Sequence, residues 1–124
     1  MNPILVGVNI RNDIDFDYSI LELESLVKAL DIKSLLTVKQ KLNEPSDKYL
    51  LGKGKLEEIK ALVNEYNPDL VIFDNDLTPA QQQNIQEILE IDVWDRTALI
   101  LKIFESSNEI SALVLKNKLY LNKK

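Results

Sequence analysis

The chain has no cysteine and no histidine, one tryptophan and only three glycines among its 124 residues. Those absences exclude disulfides, thiolate nucleophiles, histidine-ligated zinc and imidazole acid–base catalysis. Arginine occurs at two positions only, Arg11 and Arg96. The amino terminus, Met1-Asn2-Pro3-Ile4, lacks the basic region and apolar run of a signal peptide, and no segment approaches membrane-spanning length. A cytoplasmic location without a membrane partner is therefore expected. There is no G-x-S-x-G sequence and no carboxylate pair at a recognisable spacing, which leaves acyl transfer and glycoside hydrolysis without support. A formal net charge of −5 argues against a surface that grips nucleic acid everywhere by phosphate neutralisation.

What is present is a hydrophobic content of 45%, enough for one domain with a real core and no metal or disulfide staple. Its organising stretch runs from Asp69 to Thr78. Leu70 to Phe73 are four consecutive apolar residues, too few for a helix and without the alternation of a half-exposed strand, so they read as a strand buried on both faces. Asp74, Asn75 and Asp76 follow at once. Thr78-Pro79-Ala80-Gln81 then supplies an N-cap, a proline at the first helical position and a capping-box glutamine. Carboxylates thus stand in a loop at the carboxyl end of a buried strand, where open α/β sheets place ligands.

The rest of the chain repeats this alternation. Ile4 to Ile10 reads as a first buried strand, with Gly7 marking a close approach by a neighbouring helix. A polar turn from Arg11 to Asp17 leads to Ser19-Ile20-Leu21-Glu22, which has capping-box form, and to a helix ending near Asp31 with Ile20, Leu23, Val27 and Leu30 on one face. Residues 32–39 predict a second strand at the sheet edge, with Lys39 and Lys41 solvated. Leu56, Ile59, Val63 and Tyr66 form the apolar face of a second helix, with Glu57 and Glu58 expected in its first turn, and Asn67-Pro68 stops it. A third helix runs from Pro79 to about Leu89, then a short strand at Asp92 to Asp95 and an apolar helix from Ala98 to Phe104. The βαβαβαβα succession predicts an α/β fold with a four-stranded parallel sheet, order 2-1-3-4, flanking helices and right-handed crossovers. Residues 106–124 are expected to form a short helical tail, although a hairpin around Lys116-Asn117-Lys118 is the alternative.

Charge is segregated along the chain. Acids gather at Asp13, Asp15, Asp17, Glu22 and Glu24, and lysines at Lys39, Lys41, Lys48, Lys53 and Lys55. Gly52-Lys53-Gly54-Lys55 at a helix start can offer backbone N–H groups and two ammonium groups to a phosphate or RNA backbone. It is not a Walker A loop, because the spacing differs and leucine follows Lys55. The plain alternative is a glycine turn with a glycine N-cap. Asp74, Asp76 and Asp95 would suit magnesium if they converged, but Asp95 is also well placed to cap the last helix, so no metal site is assigned. Arg96 is expected to pair with Asp74 or Asp76, making these three a possible nucleotide or rim site. Trp94 reads as core, and Tyr49 as packing or as a stacking platform.

Three ordered blocks, Tyr49 to Ile59, Asp69 to Gln82 and Asp95 to Phe104, resemble the amino-terminal domain of HflX-type GTP-binding proteins. The resemblance covers about residues 4–105, so 1–105 is taken as the domain and 106–124 as the start of a curtailed helical arm. In that family the domain precedes a helical arm and a GTPase domain, and the protein binds the large ribosomal subunit. The resemblance therefore implies a non-catalytic domain that contacts ribosomal RNA, with Lys53 and Lys55 on phosphates. It also implies a GTPase domain in cis or in a neighbouring chain. No P-loop or Asn-Lys-x-Asp motif follows, so no cofactor is expected in this chain, and GTP and magnesium belong to the GTPase domain. Two alternatives are a nucleotide-binding α/β domain with its site at the strand ends and a vestigial protein-interaction domain.

Overall fold

The structure, a computed structural model, describes residues 2–106. Strands β1 (Ile4–Ile10), β2 (Leu36–Leu42), β3 (Leu70–Phe73) and β4 (Asp92–Trp94) alternate with helices α1 (Phe16–Ala29), α2 (Lys53–Tyr66) and α3 (Pro79–Leu89). A last helical run, α4, covers residues 96–106. All pairings are parallel and the order is β2-β1-β3-β4, as the alternation predicts. The expected tail beyond residue 106 lies outside the described residues.

Because side chains alternate across a strand, β1 and β3 feed two cores at once. Ile4, Val6, Val8, Val71 and Phe73 point to the layer of α2 and α3, where Leu56, Ile59, Ile85 and Leu89 meet them. Leu5, Leu70 and Ile72 point to the opposite layer, against Leu23 and Val27 of α1 and Leu99 of α4. Each of these side chains, taken out of water, contributes about 2 kcal/mol to the folded state before entropy is counted. Gly7 lies on the α1 side. A Cβ there would sit 2.4 Å from Ile20 Cδ1 and 3.0 Å from Phe16 Cζ, so the close approach read from the sequence is real.

Several element boundaries differ from the expectation, each for a packing reason. Helix α1 begins at Phe16, not after Ser19, because burial of the Phe16 ring draws the chain into the helix four residues early. The Asp13 carbonyl and carboxylate close the preceding turn, accepting from the N–H groups of Phe16 at 3.2 Å and Asp15 at 3.0 Å. Ser19 thus stands inside the helix with its hydroxyl free for another task. Strand β2 runs from Leu36 to Leu42 rather than over 32–39, in register with the whole of β1 from Ile4↔Leu36 to Ile10↔Leu42. Ile32 instead packs as a connection against the α1 core. Helix α2 begins at Lys53, so Glu57 and Glu58 fall in its second turn and its first turn carries no acid.

Candidate functional site

In a right-handed parallel sheet each helix starts at the carboxyl end of the strand before it. The Gly52–Lys55 turn, the Asp74–Thr78 loop and the Asp95–Thr97 loop therefore share one rim. Side-chain bonds lace its loops together. Gln81 Nε2 donates to the Ser46 carbonyl at 2.9 Å, Asn84 Nδ2 to the Lys48 carbonyl at 3.1 Å, and the Leu77 N–H to Asp95 Oδ2 at 3.1 Å. The capping box at α3 forms as read: Thr78 Oγ1 accepts from the Gln81 N–H at 3.1 Å, and Gln81 Oε1 accepts from the Thr78 N–H at 3.0 Å.

The sheet nevertheless divides the predicted residues into two groups. Asp74 and Arg96 belong to the layer of α1 and α4. Arg96 Nη1 donates to Asp74 Oδ1 and, at 3.1 Å, to Ser19 Oγ, while its Nη2 meets Glu22 Oε1. Ser19 Oγ donates in turn to Asp74 Oδ2 at 2.6 Å. The Asp74 side chain is only 7% exposed, so it is a nearly buried carboxylate neutralised by a cation and a hydroxyl from two other elements. Asp76 accepts from Thr97 Oγ1 at 2.7 Å, and Asp95 Oδ1 caps α4 by accepting from the Ala98 N–H at 2.8 Å. Each rim aspartate has a protein partner, and among the described residues no group of three or more acidic side chains converges as a metal site would require.

Asn75, which sequence reasoning passed over, fills the place where the strand order reverses. Its carboxamide accepts from the Val8 N–H at 2.9 Å and donates to the Val8 carbonyl at 2.9 Å, so a side chain extends the ladder between β1 and β3 beyond the end of β3. Open α/β sheets bind ligands in that crevice, and here the chain closes it with its own amide. An asparagine two residues past the end of a buried strand is the only sequence signal for this.

The second group lies in the layer of α2. Gly52 is the N-cap of α2 in an extended conformation, and its N–H donates to Gln40 Oε1 at 3.1 Å. Neither Gly52 nor Gly54 has a positive φ; the left-handed residue of this loop is the buried Leu50, at φ 64°. The expected glycine turn is therefore a leucine turn, held by paired bonds between the Ser46 and Leu50 backbones at 2.8 and 3.0 Å. A Cβ on Gly54 would meet nothing within 4 Å. Lys53 is exposed, and Lys55 pairs with Glu58 one turn on at 3.1 Å. Tyr49 packs against the core with Lys48 Nζ 5.3 Å from its ring centre, so packing is the better description of its role.

Comparison with known proteins gives a consistent answer. A family model described as "GTP-binding GTPase N-terminal" matches residues 17–105. The chain is 43% identical over 104 residues to a GTPase HflX of Alkalihalophilus pseudofirmus, covering 83% of this chain and 25% of that protein. It is 37% identical over 101 residues to the GTPase HflX of Escherichia coli, covering 82% of this chain and 24% of that protein. The chain thus spans about a quarter of the length of these relatives. Among solved structures, a GTP-binding protein from Sulfolobus solfataricus in complex with GDP shares the fold, with a TM-score of 0.61 and 24% identity, covering 84% of this chain and 30% of that one.

Proposed function

Since this chain belongs to the HflX family of GTP-binding proteins and corresponds to their amino-terminal domain, we propose that it is a non-catalytic module that contacts RNA of the large ribosomal subunit. The observation that carries this reading is the arrangement of lysines. Lys48 in the loop after β2 and Lys53 and Lys55 in the first turn of α2 follow the carboxyl end of one edge strand, in the layer of α2. The first turn of α2 adds the positive end of a helix dipole without any acidic residue to offset it. Most acids of the sequence cluster, by contrast, lie on or just before α1 in the other layer. A chain of net negative charge can hold RNA phosphates on one such edge while the rest of its surface repels them.

The rim around Asp74 supports a structural role rather than nucleotide chemistry. Arg96 and Thr97 already bond to carboxylate oxygens of Asp74 and Asp76, which supports reading these aspartates as rim supports. In this reading GTP and magnesium belong to a GTPase domain joined in cis or supplied by a neighbouring chain. The domain itself is a docking part, working in the cytoplasm. Co-sedimentation of the chain with purified large subunits tests this. Lys53→Glu plus Lys55→Glu is expected to abolish it, and Asp74→Ala is expected to affect it only as far as the fold loosens. Saturable ATP or GTP binding lost in Asp74→Ala, followed by Trp94 fluorescence, would favour a nucleotide site instead.

A further inference from the structure

Beyond the Gly52–Lys55 turn, the same rim carries a second polar site on the opposite side of the sheet edge. Two adjoining cavities, of about 210 and 290 Å³, open at the carboxyl ends of β1 and β2 and share Asn9 and Lys41. The larger is lined by Asn9, Asn12, Lys41, Leu42 and Asn43, with no carboxylate in its wall. The smaller includes Asp17, which is spent on Lys39 at 3.6 Å, and the neighbouring Arg11 is paired with Glu44 at 3.7 Å. Lys41 has no acidic partner among the described residues.

Asn9 marks this groove as more than a dent in the surface. The residue is 91% buried, at 9% exposure, and its Oδ1 accepts from the Asp13 N–H at 2.8 Å. That bond fixes the carboxamide and leaves Nδ2 with no acceptor among the described residues. No fully buried side-chain nitrogen or oxygen among the described residues lacks a partner, so this Nδ2 reaches the groove. A held amide donor, an unpaired ammonium and the two further carboxamides of Asn12 and Asn43 suit one singly or doubly charged oxyanion attached to a polar body. We infer that the Asn9–Lys41 groove binds the phosphate of a ribose phosphate, with Asn9 Nδ2 and Lys41 Nζ on its oxygens and Asn12 and Asn43 beside the sugar.

The site is distinct from the RNA contact proposed above and does not require it. A ribose phosphate comes either from an RNA backbone or from a free nucleotide, and one titration series separates the two. The full chain, labelled with ¹⁵N, is titrated with inorganic phosphate, adenosine monophosphate and a short oligouridylate while the side-chain amide signals of Asn9, Asn12 and Asn43 are followed. The expected result is a saturable shift of the Asn9 amide with inorganic phosphate. Tighter binding of the oligouridylate would assign the groove to RNA, and tighter binding of the monophosphate to a nucleotide. Lys41→Gln, an exposed change that leaves the core untouched, is expected to weaken binding about tenfold. Asn9→Asp keeps the acceptor for Asp13 but replaces the donor by a negative charge, and is expected to abolish it. Lys53→Gln plus Lys55→Gln is expected to leave the groove signals unchanged, even where it removes ribosome binding. Absence of any shift at the three amides with all three probes, or shifts that persist in Lys41→Gln and Asn9→Asp, would overturn the inference.

Discussion

Arg96, at the start of the last described helix, is bonded to Asp74, 22 residues earlier at the end of β3, and closes over a carboxylate that is 7% exposed. Through Ser19 and Glu22 the same guanidinium reaches α1, so one side chain ties three elements of the rim. Removing it leaves Asp74 with its hydroxyl donor but without a cation. Arg96→Met is therefore expected to destabilise the domain by about 3 kcal/mol in urea unfolding. Asp74→Asn in the same background is expected to recover part of that loss, because it removes the orphaned charge. A loss below about 0.5 kcal/mol in Arg96→Met would mean the pair behaves as an ordinary surface bridge.

Gly7→Ala tests the packing of α1 on the sheet. The added methyl would meet Ile20 Cδ1 and the Phe16 ring, both buried, and the free end of Ile20 can move only into occupied space. A cost of about 1–2 kcal/mol is expected in thermal or urea unfolding.

Gly54→Ala should act in the opposite direction. The position is inside a helix, has ordinary φ and open space around it, so alanine is expected to stabilise the chain by about 0.5–1 kcal/mol. If an RNA backbone lies against that turn, the same methyl is expected to weaken ribosome binding. A variant that is more stable yet binds less well would show that folding does not explain this glycine, whereas unchanged binding would show that nothing approaches it closely.

Thr78→Ala removes one half of the α3 capping box and is expected to cost about 1 kcal/mol. Gln81 also donates to the Ser46 carbonyl of the loop before α2, so Gln81→Ala is expected to cost more and to raise amide exchange in residues 46–52.

The architecture was legible because its signals are local: four apolar residues in a row at β3, Thr78-Pro79 at α3 and the apolar stripes of α1 and α2 each announce themselves within one element. Sheet order followed from alternation together with the buried character of the first and third strands, and the cap by Asp95 and the pairing of Arg96 with Asp74, one of the two expected partners, followed from adjacent strand ends. What could not be read depends on contacts between distant residues. Ser19 looks like a helix cap until the burial of Phe16 moves the start of α1. The left-handed turn lies at Leu50 although two glycines stand close by. Asn9 gives no signal and Asn75 only its place after a buried strand, because an asparagine's role depends on which backbone it faces.

The central claim is that lysines at the start of α2 neutralise RNA phosphates. The most direct test measures how the affinity of the chain for large-subunit RNA falls with salt, in the parent and in Lys53→Gln plus Lys55→Gln. If both lysines contact phosphates, the double variant binds more weakly and the slope of log affinity against log salt becomes shallower by about 1–2. An unchanged affinity and an unchanged slope would contradict the account.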